Sequence, residues 1–387
     1  MVVEVVRGYN FRLSARLSLP VLRAGSTGGV MRKRFLIGVA VAACAAVALQ
    51  VQAAAQQAGG GRGQGGGRGG QNPAYPTAEQ YANSKEAQAH VAKAKAIAGN
   101  DAGLVARFEN TCGPMGPQRP ALERQAAGQA PAEDVVIPPT KLFENVYYIG
   151  FNDVGAWAIT TSDGIILIDS LNTVQEGEEV LAAGLTKVGL NPANVKYVIV
   201  GHGHADHFGG ASFFQDKFRA RVALSAVDWD LIERPNPNAN PANANRPRPR
   251  RDHIVTDGQK ITVGDTSVTL YLTPGHTPGT LAYIFPVKDK GRTLNALLLS
   301  GANQTPNPES LKAFERVMDA AKEAKVQVLL NGHPGLFGDE LGWMEQIRKN
   351  PNGPNPYVYG EARFARFLDI MKECARSRIA AMAGKPS

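Results

Sequence analysis

Val195-Lys196-Tyr197-Val198-Ile199-Val200-Gly201-His202-Gly203-His204-Ala205-Asp206-His207 decides how this chain is read. Its first part is a short run rich in β-branched residues, which reads as a buried strand. Three imidazoles and a carboxylate follow at once, in the loop at the strand's end. These are groups that bind zinc well, and a loop converges them without the fixed spacing of a helix. Gly201, Gly203, Gly209 and Gly210 let the backbone wrap closely around an ion. Ionisable groups crowded after a buried strand usually mark a site rather than a polar surface loop.

The remaining histidines extend the pattern. The chain has 7. His276 lies at the tip of Thr273-Pro274-Gly275-His276-Thr277-Pro278-Gly279, and His333 lies in Asn331-Gly332-His333-Pro334-Gly335. Either alone reads as a surface residue, but each follows a buried strand, as the cluster does. His90, on a polar helix, is expected to be solvated. His253, at the end of a polar loop, is expected to be a surface or structural residue.

Elements fall on both sides of the cluster. Strands are expected over Val146–Ile149, Ala156–Thr161, Ile165–Ile168 and Val195–Val200, with a helix over Asn172–Leu190. The second half repeats the layout. Strands are expected at Ala220–Ser225, Gln259–Val263, Ser267–Thr273, Thr280–Phe285, Thr293–Ser300 and Val326–Leu330. Helices are expected over Leu311–Ala324, near 338–349 and over 359–383. Two groups of strands with helices between and after them fit an α/β fold, a four-layer αββα sandwich. Ligands then sit at the C-terminal ends of strands.

These motifs together resemble the metallo-β-lactamase superfamily over roughly residues 141–384. The resemblance rests on the His-x-His-x-Asp-His loop, the strand ending in Asp169, the Pro-Gly-His-Thr-Pro-Gly turn and the His-Pro loop. It implies the αββα fold and two zinc ions. His202, His204 and His276 would hold the first, and Asp206, His207 and His333 the second. Most hydrolases of the superfamily carry a metal-bridging aspartate after a later strand. Leu299-Ser300-Gly301-Ala302-Asn303 has none, and no ligand cysteine replaces it. What remains is similar to the class B β-lactamase subclass with a three-histidine first site and an Asp-His-His second site. Gly155-Ala156-Trp157 through Asp169 and Asn355-Pro356-Tyr357-Val358 share that likeness.

The resemblance implies hydrolysis of a β-lactam ring by a zinc-activated hydroxide that Asp206 helps to orient. A secreted zinc hydrolase of another small ester, lactone or amide is the alternative, and a non-catalytic zinc-binding protein a third reading. Ser300, Asn303 and Thr305 follow a strand that should border the site and are candidates to contact substrate. Asp169 is either a support for the ligand loop or a turn cap. Trp157 and Phe151 are candidate groove walls, with Trp157 read rather as core.

The rest of the chain bears on where the protein works. Residues 1–30 read as a non-native upstream extension that adds nothing to a targeting signal, with Met31 as the expected start. Residues 31–55 read as a signal peptide, with a basic start at Arg32-Lys33-Arg34, an apolar run and small residues at Ala53 and Ala55. A lipoprotein signal at Cys44 is the less favoured reading, and the apolar run is short for a membrane span. The expected location is therefore periplasmic or secreted. Residues 56–76 form a Gly-rich linker, 77–140 a helical and irregular arm, and 141–387 the catalytic domain. The formal charge is +8. About six of those charges lie in residues 1–55, and a mature chain near neutrality gives no electrostatic case for nucleic acid. The expected partner is a small-molecule substrate. Cys112 and Cys374 are left after cleavage and are read equally as a disulfide or as two separate thiols.

Overall fold

The computed structural model describes residues 76–112, 134–234, 247–301, 306–334 and 339–383. The expected upstream extension, signal peptide and most of the Gly-rich linker lie outside the described residues, as do Asn303 and Thr305.

The described residues open on three helices, α1 (Ala78–Asn83), α2 (Lys85–Ala98) and α3 (Ala102–Thr111). α1 and α2 are separate helices because the Ser84 side chain caps α2, accepting from Ala87 N–H. Strands β1 (Val136–Phe143), β2 (Val146–Phe151), β3 (Gly155–Thr161) and β4 (Gly164–Ile168) follow as an antiparallel meander. β1 lies where an irregular arm was expected. It tolerates Pro138 and Pro139 because it is an edge strand, with its register broken between Ile137 and Thr140.

The helix expected over Asn172–Leu190 is α4, built from Val174–Glu176, a π-helical stretch Gly177–Ala182 and Ala183–Lys187. The wide turn begins at Gly177, where a Cβ would come within 3.0 Å of Gly210 Cα. Then come β5 (Val195–Ile199), α5 (Ala205–Phe208), α6 (Ala211–Phe218), β6 (Arg221–Ser225), α7 (Ala226–Glu233) and β7 (His253–Val255). β4 to β7 are parallel, completing a seven-stranded sheet in the order β1 to β7.

The second sheet holds β8 (Lys260–Val263), β9 (Thr266–Leu272), β10 (Leu281–Asp289), β11 (Arg292–Leu299) and β12 (Val326–Asn331), in the order β12-β11-β10-β9-β8. Helix α8 (Pro308–Glu323) connects β11 to β12, and α9 (Glu340–Lys349) and α10 (Glu361–Ala383) close the described chain.

Alternation along the strands makes the layers. Side chains of a strand point to opposite faces in turn. Ile166 and Ile168 of β4 join Tyr283, Leu298 and Val328 in a core between the sheets. Ile165 and Leu167 face outward onto α4 and α6 through Leu181, Leu185 and Phe214. Leu297 and Leu299 of β11 face the other way, onto Phe314, Phe367 and Leu368 of α8 and α10. Helices cover both outer faces, so the expected αββα sandwich is the fold. Trp157 is fully buried in the central core, and Phe151 lies in the outer core beneath α4.

The arm is tied to α10. Cys112 and Cys374 form a disulfide with Cα atoms 4.8 Å apart. His90, expected to be solvated, is instead pinned to the buried Glu373 at 2.6 Å. His253 lies in β7, where its carbonyl accepts from Trp229 Nε1–H at 3.1 Å, a structural place as expected.

Candidate metal centre

β4, β5, β11 and β12 end at one edge of the sandwich, and each end contributes to the site. Beyond β5, His202 and His204 leave the loop and α5 carries Asp206 and His207. The turn between β9 and β10 presents His276, and His333 stands two residues past β12.

The side chains meet in two triads. His202 Nε2 lies 3.1 Å from His204 Nδ1, which lies 3.0 Å from His276 Nε2. In the second triad His207 Nε2 is 3.1 Å from His333 Nε2 and 3.4 Å from Asp206 Oδ2. Asp206 Oδ2 is 3.3 Å from His333 Nε2. The triads adjoin through the rings of His202 and His207, whose centroids are 3.9 Å apart.

The donor set fits a metal. An imidazole nitrogen offers one in-plane lone pair or one in-plane proton. His204 Nδ1 therefore cannot hydrogen-bond both its neighbours well, whereas one cation shared by the three rings satisfies all of them. Ligands held tetrahedrally at about 2.0–2.1 Å from zinc stand about 3.3–3.4 Å from one another, close to these spacings.

Electrostatics agree with two unlike halves. Burial drives His202, His204 and His276 below the ordinary imidazole range, His276 to about 3, so their lone pairs are free. Burial also opposes charge on His207, but Asp169 and Asp206 outweigh it and lift that ring to about 9. Burial likewise works against ionised Asp206, yet His207 and His333 hold its carboxyl well below the usual range. The second triad demands positive charge, which a proton or a metal ion can supply.

Buried neighbours fix the ligands. Asp169 Oδ2 lies 2.8 Å from His207 Nδ1, and Oδ1 accepts from Gly201 N–H at 2.6 Å. The residue has φ 66°, a left-handed conformation uncommon outside glycine. Ser170 Oγ–H donates to His207 O at 2.9 Å. Asp169 thus supports the ligand loop directly. Of the glycines expected to wrap an ion, Gly209 does something else. A Cβ there would stand 2.0 Å from Asn172 C and O, so its bare backbone lets two loops touch.

Ser300, expected near substrate, is buried against the site's backbone. Its Oγ would lie 2.4 Å from a Cβ on Gly201 and 3.7 Å from one on Gly332, which places it behind the histidines. Asp228 was missed. Fully buried on α7, its Oδ2 accepts from Gly203 N–H at 2.8 Å and Thr277 Oγ1–H at 2.6 Å. Its Oδ1 accepts from Gly279 N–H at 3.0 Å. One carboxylate thereby ties the His202–His204 loop to the His276 turn. The only sequence signal was Ser225-Ala226-Val227-Asp228, a helix-start pattern that says nothing of those contacts.

Known proteins share this frame. The family model of the metallo-β-lactamase superfamily matches residues 149–289. The chain is 30% identical over 201 residues to the probable metallo-hydrolase YybB of Bacillus subtilis, covering 51% of this chain and 86% of that one. It is 30% identical over 130 residues to a hydroxyacylglutathione hydrolase of Acidiphilium cryptum, covering 34% and 44%. A solved subclass B3 metallo-β-lactamase of Bradyrhizobium japonicum superposes with TM-score 0.50 at 27% identity, over 60% of this chain and 89% of that one. Another metallo-β-lactamase, from Legionella gormanii, gives TM-score 0.53 at 23% identity over 62% and 94%, a likeness of fold.

The chain belongs to the metallo-β-lactamase superfamily. Within it, the chain is a metallo-hydrolase with a histidine-rich metal site of the zinc type.

Proposed function

We propose that this protein is a secreted hydrolase that opens the β-lactam ring with two zinc ions. The donor set carries the reading: three histidines in one triad, Asp-His-His in the other, and neither Asp nor Cys in Leu299–Asn303. Likeness to the Bradyrhizobium subclass B3 enzyme supports it. His202, His204 and His276 would hold one ion, and Asp206, His207 and His333 the other. Bound there, the ions would supply a water acidic near neutral pH, with a pKa of about 7, and a Lewis acid for the substrate carbonyl.

The chain's own groups do the positioning. Asp169 fixes the face that His207 presents, and Asp228 holds His204 and His276 in one frame. Asp206 turns Oδ2 to His207 and His333, and its carboxylate would help to orient the attacking water. No nucleophilic serine is required. The signal-like segment 31–55 and the Cys112–Cys374 disulfide support export to an oxidising compartment.

The Acidiphilium relative favours a second reading, hydrolysis of a small thioester or ester at the same site. Purified protein is assayed with penicillin, a chromogenic cephalosporin, a carbapenem and a glutathione thioester, with and without zinc. Zinc-dependent turnover of the β-lactams is expected. Turnover of the thioester alone would replace this reading with the second.

A further inference from the structure

Arg107 lies on α3, in the arm that precedes the segment matched by the family model. It is 2% exposed, and its guanidinium lies near the rings of Trp343 and Phe367, 5.7 Å from each centroid. Its NH2 group donates to Glu340 Oε1 at 2.6 Å, and Nε–H donates to Tyr359 Oη at 3.3 Å. The same Glu340 oxygen accepts from Asn331 Nδ2–H at 3.1 Å. Asn331 is the last residue of β12, and its carbonyl accepts from Trp157 Nε1–H at 3.1 Å. Gly332 N–H donates to Leu299 O at 3.1 Å, and His333 comes next.

An ion pair between the arm and α9 is thus joined by one side chain to the strand end that presents His333. The His333 ring is held at one nitrogen from behind and is partly open to solvent. Its Nδ1 meets Asp153 O at 2.7 Å, and the side chain is 22% exposed. His202 and His207, by contrast, are sealed in the protein. Asn331 stands two residues before His333, so the contacts that hold Asn331 bear on the direction in which His333 leaves the sheet, together with the Asp153 carbonyl at its Nδ1. The disulfide at Cys112, just past the end of α3, fixes the helix that carries Arg107.

We propose that Arg107 is a positioning residue for the second metal site, acting through Glu340 and Asn331 on His333. The inference rests on the two-metal reading above. Loss of a buried ion pair between arm and domain should therefore weaken one metal ion and spare the other. Removing only Arg107 would strand a buried carboxylate and threaten folding. The informative variant is R107M/E340Q, which removes both charges together.

Metal-free wild type and variant are titrated with zinc against a chromophoric chelator, and with cobalt followed by its visible absorption. Wild type is expected to take up both ions. In R107M/E340Q the first-triad ion should bind unchanged and the second severalfold more weakly, a smaller effect than the roughly 10–100-fold loss on removing a direct partner of a metal ligand. If the double variant does not fold, R107K keeps the charge while losing the forked contacts, and the same selective loss is expected. Both ions bound as in wild type would overturn the proposal. So would equal weakening of both, which would mark a merely structural pair. A wild-type chain that takes up fewer than two ions would instead overturn the two-metal reading, and this inference with it.

Discussion

Asp169 holds His207 from behind, Oδ2 standing 2.8 Å from Nδ1, while its other oxygen accepts the Gly201 N–H two residues past β5, where the ligand loop begins. One buried carboxylate thus sets both the ring that would meet a metal and the backbone that delivers it. Asp169→Asn keeps the shape but loses the charge and one acceptor. Zinc affinity should fall about 10–100-fold, as for other outer partners of metal ligands. Competition with a chelator measures it, and unchanged affinity would leave Asp169 with a turn-forming role only.

Asp228 makes the opposite half its own. It accepts from Gly203 N–H, Thr277 Oγ1–H and Gly279 N–H, all beside first-triad ligands. Asp228→Ala leaves these donors without their acceptor, at a cost of about 3 kcal/mol or more. Thermal melts should show that loss. Metal titration should show the tighter damage at the His202-His204-His276 triad. Asp228→Asn, which can still accept through one oxygen, should be milder on both counts.

Acid should loosen the arm. Burial opposes charge on Glu373, yet His90 and Lys93 hold its carboxyl below the ordinary 4.5. The Arg363 hydrogen bonds hold Asp101 below its ordinary 3.8. A carboxyl depressed in the folded state adds stability above its unfolded value, and that contribution is lost as pH falls through the folded value. The melting temperature should therefore drop as pH falls below the ordinary values of 4.5 and 3.8 and on through the lower folded values. The drop should be smaller in Glu373→Gln/Asp101→Asn, which has less to lose. Equal acid sensitivity of both proteins would remove these carboxylates as its cause.

The fold was legible where residues alternate or run apolar. Ile165-Ile166-Leu167-Ile168 and Val195–Val200 announce buried strands, and β4 and β5 lie there. The six ligand candidates were legible because histidines are scarce and five follow strands. What stayed hidden depends on contacts made across the chain. β1 escaped because its prolines suit only an edge position, which the sequence order does not reveal. Asp228 stayed hidden because the loops it joins lie 25 and 49 positions away. His90 looked solvated because Glu373 is 283 residues distant. Ser300 looked like a groove residue because a loop after a strand usually faces outward, whereas Gly201 leaves room for it inside.

The most direct test of the six-ligand centre is zinc titration of chelator-stripped protein, followed by bound metal and by turnover of a chromogenic cephalosporin. About two zinc ions per chain should bind, with turnover returning as the sites fill. His204→Ala and Asp206→Ala should each lose about one ion and at least about a hundredfold in rate. Full turnover by the stripped protein, or undiminished zinc binding by both variants, would contradict the account.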